Sequence, residues 1–151
     1  MSRTYQAAAF SPDVLIGEHQ GVPVMLEAVV LRRSGVLVFL AACRNHITDQ
    51  LDAAWREAFE QWAERAKAAR EGGEEPPRPP EQPGSALAEI PLVIGDDAGT
   101  TYRWAGTTSA GSKTEWEASW SFQPAVPAAA RTLSVVIDTD ECRQQAFTVS
   151  L

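Results

Sequence analysis

The sequence predicts an antiparallel β-sandwich interrupted by one long helix, and three observations carry that prediction. The first is residues 115–122, EWEASWSF, where Trp116, Ala118, Trp120 and Phe122 alternate with Glu115, Glu117, Ser119 and Ser121. Strand side chains alternate between faces, so one face holds the aromatics and the other only polar groups. That pattern fits an antiparallel sheet with one face in a core and one in water. The second is a succession of seven or eight short apolar runs parted by turn residues, without the strand–helix rhythm of a parallel sheet. The third is a change of period over residues 49–71, where Leu51, Trp55, Ala58, Phe59, Trp62, Ala66 and Ala69 fall on one helical stripe.

Residues 1–21 carry few signals beyond Val14, Leu15 and Ile16, a short edge strand after Pro12 closed by Gly17. Residues 24–32 (VMLEAVVLR) form the first firm strand. Ser34-Gly35 turns the chain into residues 36–43 (VLVFLAAC), and the two runs read as a hairpin. The second arm is apolar on both faces, so it is expected at the centre of a sheet and covered on both sides.

The helix over 49–71 has Thr48 or Asp49 as its cap, Asp49 and Asp52 to complement the positive end of its dipole, and Lys67 and Arg70 near its end. Gly72-Gly73 supplies the stop. Such a helix is about 35 Å long. Residues 72–85, GGEEPPRPPEQPGS, hold five prolines and no large apolar side chain, the composition of an extended, partly polyproline linker. Residues 45–85 are thus an insertion, helix plus linker, in a single domain spanning 1–151.

Strand signals resume at 87–94 (LAEIPLVI), where Pro91 marks an edge or a bulge. Residues 95–99 (GDDAG) are turn chemistry. Residues 100–105 form a strand with Tyr102 and Trp104 on one face, and 106–113 a polar loop before the aromatic strand. Residues 123–131 cross between sheets or edges. A strand at 132–139 follows, with Leu133, Val135 and Ile137 alternating, then an acidic turn at 138–141. Phe147, Val149 and Leu151 mark the last strand.

A length of 151 residues and an apolar content of 44% suit one domain with a real core and argue against disorder. A net charge of −7 disfavours non-specific attraction to nucleic acid or an anionic membrane. Only Lys67 and Lys113 are lysines among the 13 basic residues, a bias that points to a GC-rich bacterial genome. The N-terminal residues lack a long apolar stretch, and the longest apolar run, 36–43, is too short to span a bilayer. A cytoplasmic location is expected, where Cys43 and Cys142 stay reduced.

Two stretches carry a resemblance. Asp96-Asp97-x-Gly99-Thr100-x-Tyr102 precedes Trp120-x-Phe122-x-Pro124-x-x-Pro127 and Arg131-x-Leu133. In that order they resemble an immunoglobulin-like β-sandwich domain of uncharacterised, mainly actinobacterial, proteins. A similar pattern occurs in accessory domains of some bacterial anti-sigma-like membrane proteins. The resemblance covers about residues 87–151, fits the first hairpin loosely and does not include the helix or the linker. It implies an immunoglobulin-like fold and brings no activity or catalytic residues with it.

Motifs with chemical meaning are few. Residues 106–114, GTTSAGSKT, approach a phosphate-binding loop, but Ser112 separates Gly111 from Lys113 and a strand follows where a helix is needed. A hairpin loop is expected there. Asp96, Asp97, Asp138, Asp140 and Glu141 offer oxygens to calcium without the spacing of a calcium loop, and Asp also favours turns for local reasons. Cys43, His46 and Asp49 lie three apart and would need a fourth ligand, His19 or Cys142, to close a zinc site. Neither histidine sits in a nucleophile–base context. No catalytic residue, metal or cofactor is assigned.

The candidate functional feature is the stripe Trp55, Phe59 and Trp62. An apolar helical face usually finds its own core, so packing back on the sheet or on the Val14–Ile16 region is expected. The competing expectation is a partner surface, since a helix tethered by a proline-rich linker can dock elsewhere. The function expected is that of a non-enzymatic protein acting through contacts with a protein partner or with itself. The alternatives are a ligand- or calcium-binding module using the acidic loops, and an enzyme of unknown reaction.

Overall fold

The computed structural model describes residues 5–110, 116–138 and 143–151, and of residues 110 and 143–146 the backbone only. The fold is mainly β, with antiparallel pairing and one long helix inserted after the first hairpin, as expected. Among the described residues nine strands are formed rather than seven or eight. Strand β3 (Val22–Arg32) pairs along most of its length with β4 (Gly35–Ala42). Gly35 makes their turn at φ +148, and a Cβ there would collide with the Phe122 carbonyl oxygen of the neighbouring strand, so only glycine fits.

The free edge of β3 is covered by two short strands in succession, β1 (Ala8–Phe10) and β2 (Val14–His19). Strand β2 runs on through Gly17 by a register shift between Leu15 and Gly17, where the sequence suggests closure. On the other side of β4 lie β7 (Glu117–Gln123) and β6 (Arg103–Ala110), completing a six-stranded sheet. The second sheet has three strands, β5 (Leu92–Asp96), β8 (Thr132–Asp138) and β9 (Arg143–Ser150), with β5 at its edge as Pro91 suggests. The chain crosses between sheets over residues 124–131, after a cis Gln123–Pro124 bond.

The inner faces share one core. Val24, Leu26, Val29, Val36, Val38 and Leu40 meet Leu133, Val135 and Ile137 of the opposite sheet, all with no exposure. Trp116, Ala118, Trp120 and Phe122 are buried on the one face predicted for them. A three-stranded sheet is too narrow to cover a six-stranded one. The gap over β6 and β7 is filled by a 3-10 segment, Pro83–Glu89, whose Leu87 is buried, as is Ile90 after it. The sequence pattern places residues 87–90 in a strand instead. Side chains three apart eclipse in a 3-10 turn, so Leu87 and Ile90 share a face there too, and Pro83 starts that turn at its first position.

Two further expectations change. Residues 97–102 wrap around the Asp96 carboxylate, so β6 begins at Arg103 and takes in residues 106–110 of the expected loop. Thr107 and Thr108 favour that extended pairing with Trp120 and Ser119. Strand β4 is central, but Leu37, Phe39 and Ala41 on its outer face are only half-buried. The helix does not cover them: its contacts run to the 3-10 segment, to the β2–β3 turn and to Trp116.

Candidate functional site

Helix α1 (His46–Glu71) begins three residues earlier than its apolar stripe suggests. The cap is Asn45, whose Oδ1 accepts from the amides of Ile47 and Thr48 while Thr48 Oγ1 accepts from the Asn45 amide. Asn45 Nδ2 also donates to the Gly21 carbonyl at 3.0 Å, and Ile47 lies so close to Gly21 that a Cβ there would strike it. The base of the helix is therefore bolted to the β2–β3 turn.

A second joint lies one turn on. Asp52 is 1% exposed and accepts from Trp116 Nε1 at 3.0 Å. Its other oxygen meets Arg44 at 2.5 Å, and Arg44 also reaches Asp49 at 3.1 Å. A buried carboxylate left without such partners is costly. The sequence offers Asp52 as a helix-dipole partner; its bond to the aromatic strand is not legible from local spacing.

Beyond Asp52 the helix stands off the sandwich. At its end Gly73 adopts φ +71, the Glu74 amide bonds the Ala69 carbonyl at 2.7 Å, and the Gly73 amide bonds the Arg70 carbonyl at 3.2 Å. This pair of bonds is the Schellman arrangement, and it turns the chain back on itself. Prolines then fix φ and force the preceding residues into extended conformations. Gln82, at φ −66 and ψ 140, has polyproline II geometry.

The returning strap lies along the aromatic stripe. Trp62 Nε1 donates to the Pro77 carbonyl at 2.7 Å, and Trp55 Nε1 to the Pro80 carbonyl at a longer 3.4 Å. Phe59 sits between the two tryptophans, with ring centroids 5.1 and 5.2 Å away. One turn further out, Ala66 is buried. Trp55 and Trp62 are half-buried, and Phe59 keeps 38% of its surface exposed. The structure thus brings the three candidate residues together, but not against the sheet or the Val14–Ile16 region. Their cover is the proline linker. Polyproline geometry suits that role, because its carbonyls have no internal partners and are free to accept from indole N–H groups.

The other candidates are placed differently. Asp96 Oδ1 accepts from the amides of Ala98 and Thr100, and Oδ2 from the Tyr102 hydroxyl at 2.6 Å. Partial burial raises the Asp96 carboxyl, but these hydrogen bonds outweigh it and hold the group below its ordinary value. Burial, then the Asp96 carboxylate, pushes the Tyr102 hydroxyl up. Asp97 accepts from the amides of Arg131 and Thr132, which lower its carboxyl. Both acids therefore close turns. Among the described residues no three His, Cys, Asp or Glu side chains gather as a metal would need; Asp49 pairs with Arg44 and His46 is exposed. Cys142, Asp140, Glu141 and residues 111–115, which include part of the near phosphate-binding loop, lie outside the described residues. Trp104, expected on a strand face with Tyr102, is 66% exposed beside the groove between β6 and Ile90. No described helix is long and apolar enough to cross a membrane. No protein-family model matches the chain, and neither curated proteins nor solved structures give a match.

Proposed function

We propose that this is a non-enzymatic β-sandwich protein that works through protein–protein contacts, with the helix and its proline strap as the contact element. One observation carries the reading: past Asp52, residues 53–82 form an arm that the core does not need for its own closure, yet it presents an ordered row of large aromatics. An immunoglobulin-like assignment for residues 87–151 belongs to the same proposal. It is supported by the way this stretch supplies β5, β8 and β9 to one sheet and β6 and β7 to the other. The setting we take to be cytoplasmic.

The Asp96-Asp97 turn offers less to the calcium-binding alternative, since both acids already accept hydrogen bonds from the chain's own amides. Excision tests the leading reading. Trp55 and Pro80 lie side by side, so residues 56–79 can be replaced by a short Gly-Ser turn that leaves Asn45, Asp52 and Leu87 untouched. The excised protein should melt cooperatively and should lose a partner that the intact protein recovers from its host. A partner recovered equally by both proteins would move the contact to the sandwich and end the role of the arm.

A further inference from the structure

The strap on the helix is chemically a ligand in a site, joined to it by the chain. Two indole N–H groups seven residues apart on α1 meet two proline carbonyls three residues apart on the strap. Seven helical residues rise about 10.5 Å, and three polyproline residues rise about 9.3 Å. The two periods nearly match, so a helix carrying Trp at i and i+7, with an aromatic between, is in register with any P-x-x-P run laid antiparallel to it. Proline rings are apolar bodies that suit an aromatic row, and the indoles take the carbonyls. These are the elements by which proline-rich segments are recognised in aromatic grooves generally.

From this match we infer that Trp55, Phe59 and Trp62 form a receptor for polyproline II segments, occupied in the resting protein by Pro76 to Pro80 of the same chain and open in exchange to a proline-rich segment of a partner protein. The inference rests on the contact role proposed for the arm and names the chemistry of the partner. The resident strap shows what the surface accepts. Its hold is limited: one of the two hydrogen bonds is long at 3.4 Å, and the central ring is 38% exposed. The chain turns into the strap at Gly73, whose φ of +71 has open space around it. The arm is charged mainly on its other faces, with Arg56, Glu57, Glu60, Glu64 and Lys67 exposed, so the stripe is the apolar seat along it. A tethered occupant competes at an effective concentration in the millimolar range. A partner's segment therefore has to bind more tightly than the strap, or to arrive when the strap is displaced.

The test uses the full chain with the strap disarmed, Pro77→Gly and Pro80→Gly together, and a synthetic peptide of residues 74–84, EEPPRPPEQPG. Binding is read from the indole N–H resonances of Trp55 and Trp62. The disarmed protein should bind the peptide, and the intact protein about tenfold or more weakly, because its site is filled. Trp62→Phe in the disarmed protein should abolish binding. If disarming melts the outer helix, added peptide should restore the helical circular dichroism. The inference is overturned by a disarmed protein whose indole signals, or lost helix, do not respond to millimolar peptide. It is equally overturned by a peptide with serine for every proline that binds as well, or by a Trp62→Phe variant that binds unchanged. Intact protein that dimerises with rising concentration, and ceases to on Trp62→Phe, would overturn the choice of a separate partner and name a second copy. These outcomes are independent of the excision test: a silent peptide together with a partner lost on excision would sink the polyproline chemistry and spare the arm.

Discussion

The sandwich and its arm solve the same problem with different partners. In both, an apolar row needs cover. In the sandwich the row over residues 116–122 is covered by strands and a 3-10 segment from distant parts of the chain, and Trp116, Trp120 and Phe122 end 2–3% exposed. In the arm the row on α1 is covered by the next stretch of sequence, 15 to 25 residues on, and Phe59 stays 38% exposed. The difference is one of cooperativity. A core closed by distant segments forms or fails as a unit, whereas a locally closed arm can open alone. The strongest break of this comparison is Trp120→Ala, which should cost about 3–5 kcal/mol, as truncation of a buried aromatic does, and so prevent stable folding. A variant that melts like the parent in thermal circular dichroism would mean that β7 is not the keystone of the core.

The next effect is expected at the joint between the two regions. Asp52→Ala leaves the indole N–H of Trp116 buried without its acceptor and frees Arg44, whose side chain is 34% exposed. Because Arg44 can turn to water and to Asp49, the loss should fall near the lower end for a broken buried pair, about 2–3 kcal/mol. Urea midpoints for Asp52→Ala, Arg44→Ala and the double variant would measure the coupling. Equal effects of the singles and the double, each below about 0.5 kcal/mol, would show that the arm is merely leaning on the sandwich.

How much of this is legible in the sequence follows from the range of each signal. The alternation over 116–122 is local and dictates which residues of β7 go inside. The Gly72-Gly73 stop is equally local. The helix start is hidden because the cap, Asn45, is recognised through Thr48 at its third helical position and a carbonyl on the β2–β3 turn, and neither belongs to the apolar stripe. The 3-10 segment is hidden because Leu87 and Ile90 satisfy a strand edge and a tight helix alike. Most instructive is the stripe itself. Periodicity announces that Trp55, Phe59 and Trp62 need cover, and composition announces a proline linker. Joining the two requires the match of helical and polyproline rise, which neither signal contains alone.

A gentler effect belongs to the sandwich rim. The hydrogen bonds from Tyr102, Thr100 and Ala98 outweigh burial and lower the Asp96 carboxyl from its ordinary value of 3.8 in the folded state. A depressed folded pKa contributes stability that is present above the unfolded value and is lost as pH falls through the folded one. Asp96→Asn should therefore destabilise the protein at neutral pH, and the gap between parent and variant should close as pH falls through 3.8 and below. Urea midpoints at several pH values would show it. A gap that stays constant would mean that the carboxylate's charge adds nothing beyond the geometry of the turn.

The smallest global effect is expected in the arm, and it is the sharpest test of the comparison. Phe59 stacks with both tryptophans, so Phe59→Ala removes two aromatic contacts, each worth about 0.5–1.5 kcal/mol where measured. In a cooperative core that loss would appear whole in the melting curve. In an arm that opens alone it should appear in the opening equilibrium and leave the global midpoint almost unmoved. The helix beyond Asp52 has 19 residues, from 53 to 71, and most helical stability in proteins comes from packing of an amphipathic face, so the strap and the ring stack are what hold its outer turns. Hydrogen exchange should accordingly quicken about tenfold at amides around 60–71 in Phe59→Ala, the fold-change for a loss of about 1.4 kcal/mol, while the amides of β3, β4 and β7 keep their protection. If instead all of these amides quicken together and the melting midpoint falls with them, arm and sandwich are one cooperative unit, and the helix belongs to the core after all.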